Sequence, residues 1–199
     1  MEIKAAIIVG ANVNARDEDG VTPLMKSMIL SSPELISILV KHGADVNARN
    51  NDGSTALMFA AWFHHPRIIT ALIGHGADIT ARGENGMTAL MYTAVNHNPE
   101  VTATLIKNGA DINARDKDDM MTALMSAARD SRSPEIITEL IKNGADVNAR
   151  NKDGMTALMI AAQHNFKGSS EIIPALIKNG ADVKLRDKYG KMAIDHAKN

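Results

Sequence analysis

The chain has 199 residues, of which 45% are hydrophobic and 23% are charged, a composition typical of a folded protein rather than a disordered one. Its net charge of −1 excludes the basic excess with which general nucleic-acid binders neutralise phosphates. It contains no cysteine, which excludes disulfides, cysteine-ligated zinc and thiol catalysis. No apolar run approaches the roughly 20 residues that a membrane-spanning helix needs.

Two short motifs recur along the chain with one shared period. A Gly-Ala-Asp or Gly-Ala-Asn motif occurs with successive spacings of 33, 33, 33, 35 and 36 residues, beginning at Gly10, Gly43, Gly76, Gly109, Gly144 and Gly180. A second motif, Thr followed by Pro or Ala and then Leu-Met, begins at Thr22, Thr55, Thr88, Thr122 and Thr156. Two independent markers in the same phase indicate a repeat array.

Each unit is predicted to contain two helices and a hairpin-like finger. In the third unit, Thr88 is a candidate N-cap for the first helix. The second helix is predicted to begin at Asn98-Pro99-Glu100, with a capping residue, a proline at the first helical position and an acid at the positive end of the dipole. Gly109 ends it, since glycine adopts the left-handed conformation without steric cost. The same start recurs at Ser32-Pro33-Glu34 and Ser133-Pro134-Glu135, and it loses its cap and its acid at His65-Pro66-Arg67.

The 33-residue period, the Thr-Pro-Leu-Met and Thr-Ala-Leu-Met segments and the sequence Gly43-Ala44-Asp45-Val46-Asn47-Ala48 resemble the ankyrin repeat. The resemblance implies an all-α solenoid of stacked helix-turn-helix units with hairpin-like finger loops, forming a single domain over residues 1–199. Partial units at 1–16 and 187–199 are predicted to flank five full units: 17–49, 50–82, 83–115, 116–150 and 151–186. Because the chain begins inside a unit, we expect it to be part of a longer protein. We also expect residues 187–199 to cover Leu176 and Ile177.

The chain departs from the ankyrin pattern in two ways. Met occupies the position of the family's motif His in every unit, at Met25, Met58, Met91, Met125 and Met159. We interpret this row of methionines as core packing rather than as a row of metal ligands or oxidation-sensitive side chains. The finger at residues 116–121 carries an extra residue and lacks the glycine of its neighbours. We predict a different turn and greater mobility there.

Candidate chemical sites are few. An arginine ends each finger arm, forming a row of Arg16, Arg49, Arg82, Arg115, Arg150 and Arg186. We interpret this arginine row as surface Arg–Asp pairs, with an anion-binding strip as the alternative. His64 and His97 lie one repeat apart and lack carboxylate or thiolate partners in a zinc-like spacing, which favours polar caps over a metal site. The sequence has no phosphate loop, HExxH motif or nucleophile elbow. We therefore expect no catalytic activity, no cofactor and no metal.

Aromatic residues carry the strongest functional indication. The resemblance implies that partners bind a concave face formed by finger tips and the exposed side of each first helix. Carried over to this chain, that face is predicted to present Ile29, Leu30, Trp62, Phe63, Met87, Tyr92 and Val95. The positions equivalent to Trp62 hold Ile29, Val95, Arg129 and Gln163. A position that accepts Arg and Gln is not core, so we predict that Trp62 contacts a partner, the alternative being that Trp62 and Phe63 cover neighbouring loops.

The sequence therefore predicts a non-enzymatic scaffold that binds another protein. We expect a monomer that binds neither nucleic acid nor a membrane. Two alternatives stay open: a structural spacer or assembly module of a longer chain, and anion binding along the arginine row. An enzyme assembled from scattered residues has no positive support in the sequence.

Overall fold

The computed structural model describes residues 10–30, 32–63, 65–95, 98–130, 133–164 and 171–197, apart from the side chain of Val95. Over these ranges the secondary structure is helical, without a strand. The elements in chain order are α1 (Pro23–Lys26) with the 3₁₀ turn that follows it (Ser27–Leu30), α2 (Pro33–Lys41), α3 (Ala56–Trp62), α4 (Pro66–Gly74), α5 (Ala89–Val95), α6 (Pro99–Lys107), α7 (Ala123–Asp130), α8 (Pro134–Lys142), α9 (Ala157–Gln163), α10 (Ile172–Lys178) and α11 (Ala193–His196).

Threonine caps begin the first helix of most units. The hydroxyl oxygen accepts a hydrogen bond from the amide three residues later, at 3.3–3.4 Å, in Thr22, Thr88, Thr122 and Thr156. This confirms the cap predicted at Thr88. Thr55 differs, since its buried Oγ1 has no hydrogen-bond partner in the part of the chain that the structure describes. Helix α3 therefore lacks the side-chain cap that starts its neighbours.

Proline begins the second helix of the first four units, as the sequence predicts. Asn98 and Ser32 each accept a hydrogen bond from the amide three residues later, at 3.1 and 3.3 Å, which confirms both caps. Helix α4 has no side-chain cap at His65, again as predicted. Ser133 occupies the predicted N-cap position, but its side chain makes no cap hydrogen bond. Its hydroxyl donates a hydrogen bond to the Glu135 carboxylate, which lowers the pKa of that carboxyl.

The helices form two rows, one of first helices and one of second helices. The first helices contact one another more extensively than the second helices do. Buried alanines permit this close approach, among them Ala60, Ala61, Ala127 and Ala128. The methionine row lies in the same core and is at most 2% exposed, which confirms its interpretation as packing: Met25, Met58, Met91, Met125 and Met159.

One backbone hydrogen bond joins each finger to the next. The amide of one finger donates to a carbonyl of the preceding finger at 2.9–3.0 Å, in the pairs Asn51–Asp19, Glu84–Asp52, Lys117–Asn85, Lys152–Asp119 and Lys188–Asp153. These bonds hold the finger tips in a row. Residues at one register position therefore lie beside their counterparts in the adjacent finger.

An asparagine clamp adds a second connection at most steps of the stack. Asn47 Nδ2 donates to the Gly76 carbonyl at 3.0 Å, and its Oδ1 accepts from the Asp78 amide at 2.8 Å. Equivalent pairs of bonds are made by Asn14, Asn113 and Asn148. Thr80 holds this position in the second unit, and its hydroxyl donates within its own unit, to Asp78 at 2.7 Å. The clamp is therefore missing between the second and third units.

The arginine row is structural, which corrects the predicted Arg–Asp pairing. Each guanidinium from Arg16 to Arg150 donates to the main-chain carbonyl of the next arginine in the row, as in the 2.7 Å bond from Arg16 Nη1 to the Arg49 carbonyl. The same bond is made by Arg49, Arg82, Arg115 and Arg150. Among the described residues, Arg82 alone in the row lies near a carboxylate, with Asp111 Oδ2 at 3.6 Å. The carbonyls prevail because the stacked fingers place one within reach of each planar donor fork.

The finger of residues 116–121 turns differently from its neighbours. Its closing hydrogen bond, 3.0 Å long, spans five residues from the Asp116 amide to the Met121 carbonyl, where adjacent fingers span four. Met120 has a φ of 57°, in the left-handed region that other finger tips give to glycine. The finger tip thus accommodates the extra residue with Met120, a non-glycine residue, in the disfavoured left-handed conformation. The greater mobility of this finger stays a prediction.

Residues 187–197 close one end of the described stack around a buried histidine–aspartate pair. His196 Nε2 lies 3.0 Å from Asp187 Oδ2. Burial of the Asp187 carboxyl acts to raise its pKa. Hydrogen bonds from the amides of Lys191 and Tyr189 and from His196 outweigh burial and hold that pKa below its usual value.

This closing segment covers the first-helix row rather than the second. Helix α11 packs against α9. Leu176 is buried, but Ile177 in α10 remains 47% exposed. The expectation that residues 187–199 cover Ile177 is therefore wrong, because the segment supplies a first helix without a second helix beside it.

Candidate functional site

Four aromatic rings meet between the second and third units. Phe59 and Trp62 lie on α3, Phe63 follows its last residue, and Tyr92 lies on α5 of the next unit. The Trp62 and Tyr92 ring centroids are 6.0 Å apart with an interplanar angle of 86°. This edge-to-face geometry is the one that aromatic pairs prefer, and it fixes the Trp62 ring relative to the neighbouring repeat.

The rings line an open pocket of about 350 Å³. Its walls are Ser54, Met58, Phe59, Trp62, Phe63 and Tyr92. None of these side chains carries a formal charge at neutral pH, and four of the chain's six aromatic residues are among them. The pocket can therefore accept an apolar or aromatic group, and its polar side-chain groups are the hydroxyls of Ser54 and Tyr92 and the indole N–H of Trp62.

Trp62 lies at a surface position of the repeat. It is 48% exposed, and its equivalents Ile29, Arg129 and Gln163 are also exposed. Packing of the repeat therefore does not require a large ring at this position. The pair with Tyr92 shows that the ring nevertheless contributes a contact between units.

The structure brings three of the predicted binding residues together and leaves others apart. Trp62, Phe63 and Tyr92 share the pocket. Ile29 and Leu30 are exposed on the 3₁₀ turn of the first unit, and Met87 is half-buried before α5; none of the three lines the pocket. The predicted side chain of Val95 lies outside the described residues.

Two pocket residues were missed as contacts by the sequence-based prediction. Phe59 lies one 33-residue period before Tyr92, so the same register argument could have identified it. Ser54 lies in the finger that precedes α3 and forms the polar edge of the pocket. Met58 is buried as predicted, and it also forms part of the pocket wall.

The other candidate sites form no catalytic or metal-binding arrangement among the described residues. No group of three or more metal-ligating side chains occurs among the residues that the structure describes. His42 Nδ1 lies 2.8 Å from the Ile38 carbonyl, and His75 Nε2 lies 3.1 Å from Ser37 Oγ, so both rings have structural partners. His64 and His97 lie outside the described residues. In the described ranges, no helix is long and apolar enough to span a membrane.

Comparison with known proteins identifies the family. The family described as ankyrin repeats (3 copies) matches residues 3–83 and 90–187. The chain belongs to the ankyrin-repeat family. Among solved structures, it is similar to the ankyrin repeat domain of Bcl-3, described as a unique member of the IkappaB protein family, with 27% sequence identity and a TM-score of 0.82; the match covers 100% of this chain and 87% of that one. No curated protein matches the chain by sequence.

Family and fold together define the general class of this protein. It is an all-α ankyrin solenoid, and ankyrin repeats are in general non-enzymatic protein-interaction modules. The pocket between the second and third units is where the described surface concentrates its aromatic residues.

Proposed function

We propose that this chain is a non-enzymatic scaffold that binds a partner protein on the concave, first-helix side of its stack, at the pocket around Trp62. The observation that carries the proposal is the half-exposed Trp62 ring, held edge-to-face by Tyr92 in a pocket without charged walls. Tryptophan and tyrosine dominate the energetics of protein interfaces because they bury a large, stiff surface. Ile29 and Leu30 extend this surface toward the first unit.

Preorganisation is the proposed mechanism. At the step between the second and third units the asparagine clamp is missing, but the Glu84–Asp52 finger bond and the 2.8 Å bond from Arg82 Nη1 to the Arg115 carbonyl join the two units. The pocket walls from α3 and α5 are therefore already positioned in the folded chain. A partner then meets a surface whose conformational entropy was lost on folding, not on binding.

The two alternative functions have less support. A strip of arginines free to bind anions is disfavoured because the guanidinium groups from Arg16 to Arg150 are engaged with carbonyls. A pure spacer gives no reason for four aromatic rings to converge at one step of the stack.

A capture experiment with matched variants tests the proposal. Wild-type protein, Trp62→Ala and Gln163→Ala are immobilised, and retained proteins are compared by quantitative mass spectrometry. Gln163 is the control because it holds the equivalent exposed position three units later. We expect a partner retained by wild type and by Gln163→Ala but lost from Trp62→Ala. Equal retention by all three proteins would refute the pocket as the binding site.

A further inference from the structure

Finger tips near the pocket differ in charge from those at the far end of the stack. At the last two steps, a lysine neutralises an aspartate of the preceding finger: Lys152 pairs with Asp119, and Lys188 pairs with Asp153. Each hydrogen bond raises the pKa of its lysine. The same register between the second and third units, beside the pocket, holds Asp52 and Glu84. Two acids stand there in place of an ion pair.

These two carboxylates lack a neutralising partner. Both are exposed, and neither forms an ion pair within the described ranges. Their backbones are joined by the 2.9 Å bond from the Glu84 amide to the Asp52 carbonyl, so the two acidic residues occupy facing positions of adjacent fingers. Like charges directly opposite each other are destabilising. Folding alone therefore does not account for this pair.

Lys117, the counterpart of Glu84 in the next finger, forms no ion pair with either acid within the described ranges, and two other neighbouring cations are already engaged. Lys26 lies 2.7 Å from Asp17, and this hydrogen bond lowers the pKa of the Asp17 carboxyl. Arg49 Nη1 donates to the carbonyls of Gly53 at 3.0 Å and Arg82 at 2.5 Å. The acidic tips therefore remain available to a positive charge from outside the chain.

The acidic pair lies beside one wall of the pocket. Asp52 is two residues from Ser54, whose side chain lines the pocket. Two residues of extended chain separate their Cα atoms by at most about 7 Å. The faces of the Trp62 and Tyr92 rings themselves attract cations through their π electrons.

We propose that the pocket takes a lysine or arginine side chain from a basic segment of the partner protein. The aliphatic stem packs against the apolar wall, and the cationic head lies at the rim, between the aromatic rings and the carboxylates of Asp52 and Glu84. Further basic residues of the segment lie along the acidic tips, which include the exposed Glu18. This inference rests on the proposed function and specifies the chemistry of its partner.

Trp62 is the only tryptophan of the chain, so its fluorescence reports directly on the pocket. The probe is the end-blocked peptide Ala-Lys-Ala-Ala-Lys-Ala, compared with versions in which norleucine or glutamate replaces both lysines. Norleucine keeps the aliphatic stem and removes the charge. We expect the lysine peptide to bind at least about fivefold more tightly than the norleucine peptide, and the glutamate peptide to bind least.

A charge reversal separates recognition from folding. Glu84→Lys places a lysine opposite Asp52, in the register where the last two steps of the stack hold an ion pair, so we expect the thermal midpoint to stay level or rise. Binding of the lysine peptide should weaken about fivefold to tenfold, while binding of the norleucine peptide should not change. Glu171→Lys makes the same charge change at an exposed residue of the last full unit and should leave both affinities unchanged.

Three outcomes would overturn the inference. The norleucine peptide could bind as tightly as the lysine peptide, Glu84→Lys could leave lysine-peptide binding unchanged, or no peptide could alter Trp62 emission at about 10 mM. In each case, the capture experiment with Trp62→Ala still decides the proposed function separately. A partner lost from that variant would then show that the pocket binds a neutral or extended surface.

Discussion

The turn at Met120 offers a direct test of how the inserted finger is accommodated. Met120 occupies the left-handed region with a φ of 57°, where adjacent fingers place Gly86 and Gly154. A left-handed non-glycine residue costs about 1–2 kcal/mol, and glycine loses about 0.5–1 kcal/mol more in backbone entropy on folding. The difference predicts that Met120→Gly stabilises the protein by about 0.5–1 kcal/mol.

Calorimetry at fixed protein concentration measures this change. For a chain of this size, about 1 kcal/mol corresponds to roughly 2–4 °C in the thermal midpoint, so we expect a rise of about 1–4 °C. The side chain of Met120 is 43% exposed, which limits the packing that glycine removes. A midpoint lowered by several degrees would refute the assignment of strain to this turn.

A mutation in the neighbouring finger supplies the matched control. A Cβ atom on Gly86 would lie 2.8 Å from the Lys117 amide nitrogen, closer than real contacts allow. Gly86→Ala should therefore destabilise the protein by more than about 1 kcal/mol, because the positive φ and the tight contact both oppose it. A neutral Gly86→Ala would show that the finger tips tolerate side chains generally.

Two further predictions concern the connections between units. Thr80→Asn should supply the missing clamp and raise the free energy of unfolding by about 1 kcal/mol, whereas Asn47→Thr should lower it by a similar amount. Urea titration measures both changes. A Thr80→Asn variant no more stable than wild type would contradict the stabilising role of the clamp. The Asp187 pKa is lower in the folded state than its usual 3.8, so this pair stabilises the protein above that pH and the contribution is lost as pH falls through the folded pKa. Asp187→Asn should therefore flatten the loss of thermal midpoint below about pH 4, and an unchanged acid profile would contradict this role.

Much of the fold could be predicted because one period relates sequence separation to spatial adjacency. The helix starts at Thr88 and Asn98 follow from local hydrogen-bonding chemistry, which needs no knowledge of the neighbouring units. The contact between Trp62 and Tyr92 could be anticipated from the sequence because both positions fall on the first helices of adjacent units. The same argument, applied to Phe59, would have completed the set of rings.

Features that depend on competition between several partners could not be predicted in this way. The arginines of the row from Arg16 to Arg150 have acids nearby in sequence, yet each donates to a carbonyl about one repeat away, because stacking brings that carbonyl within reach of the guanidinium. The pocket itself depends on side-chain rotamers from two units, which periodicity does not specify.

The affinity of Trp62→Ala for a captured partner tests the central claim most directly. Titration calorimetry of wild type, Trp62→Ala and Gln163→Ala, with thermal midpoints measured on the same samples, separates binding from folding. Loss of the edge-to-face pair with Tyr92 should cost about 1 kcal/mol of stability, and the variant should remain folded. Its partner binding should weaken by about 2 kcal/mol or more, roughly thirtyfold, with Gln163→Ala unchanged in both measurements. A folded Trp62→Ala variant that binds the partner as tightly as wild type would contradict the account.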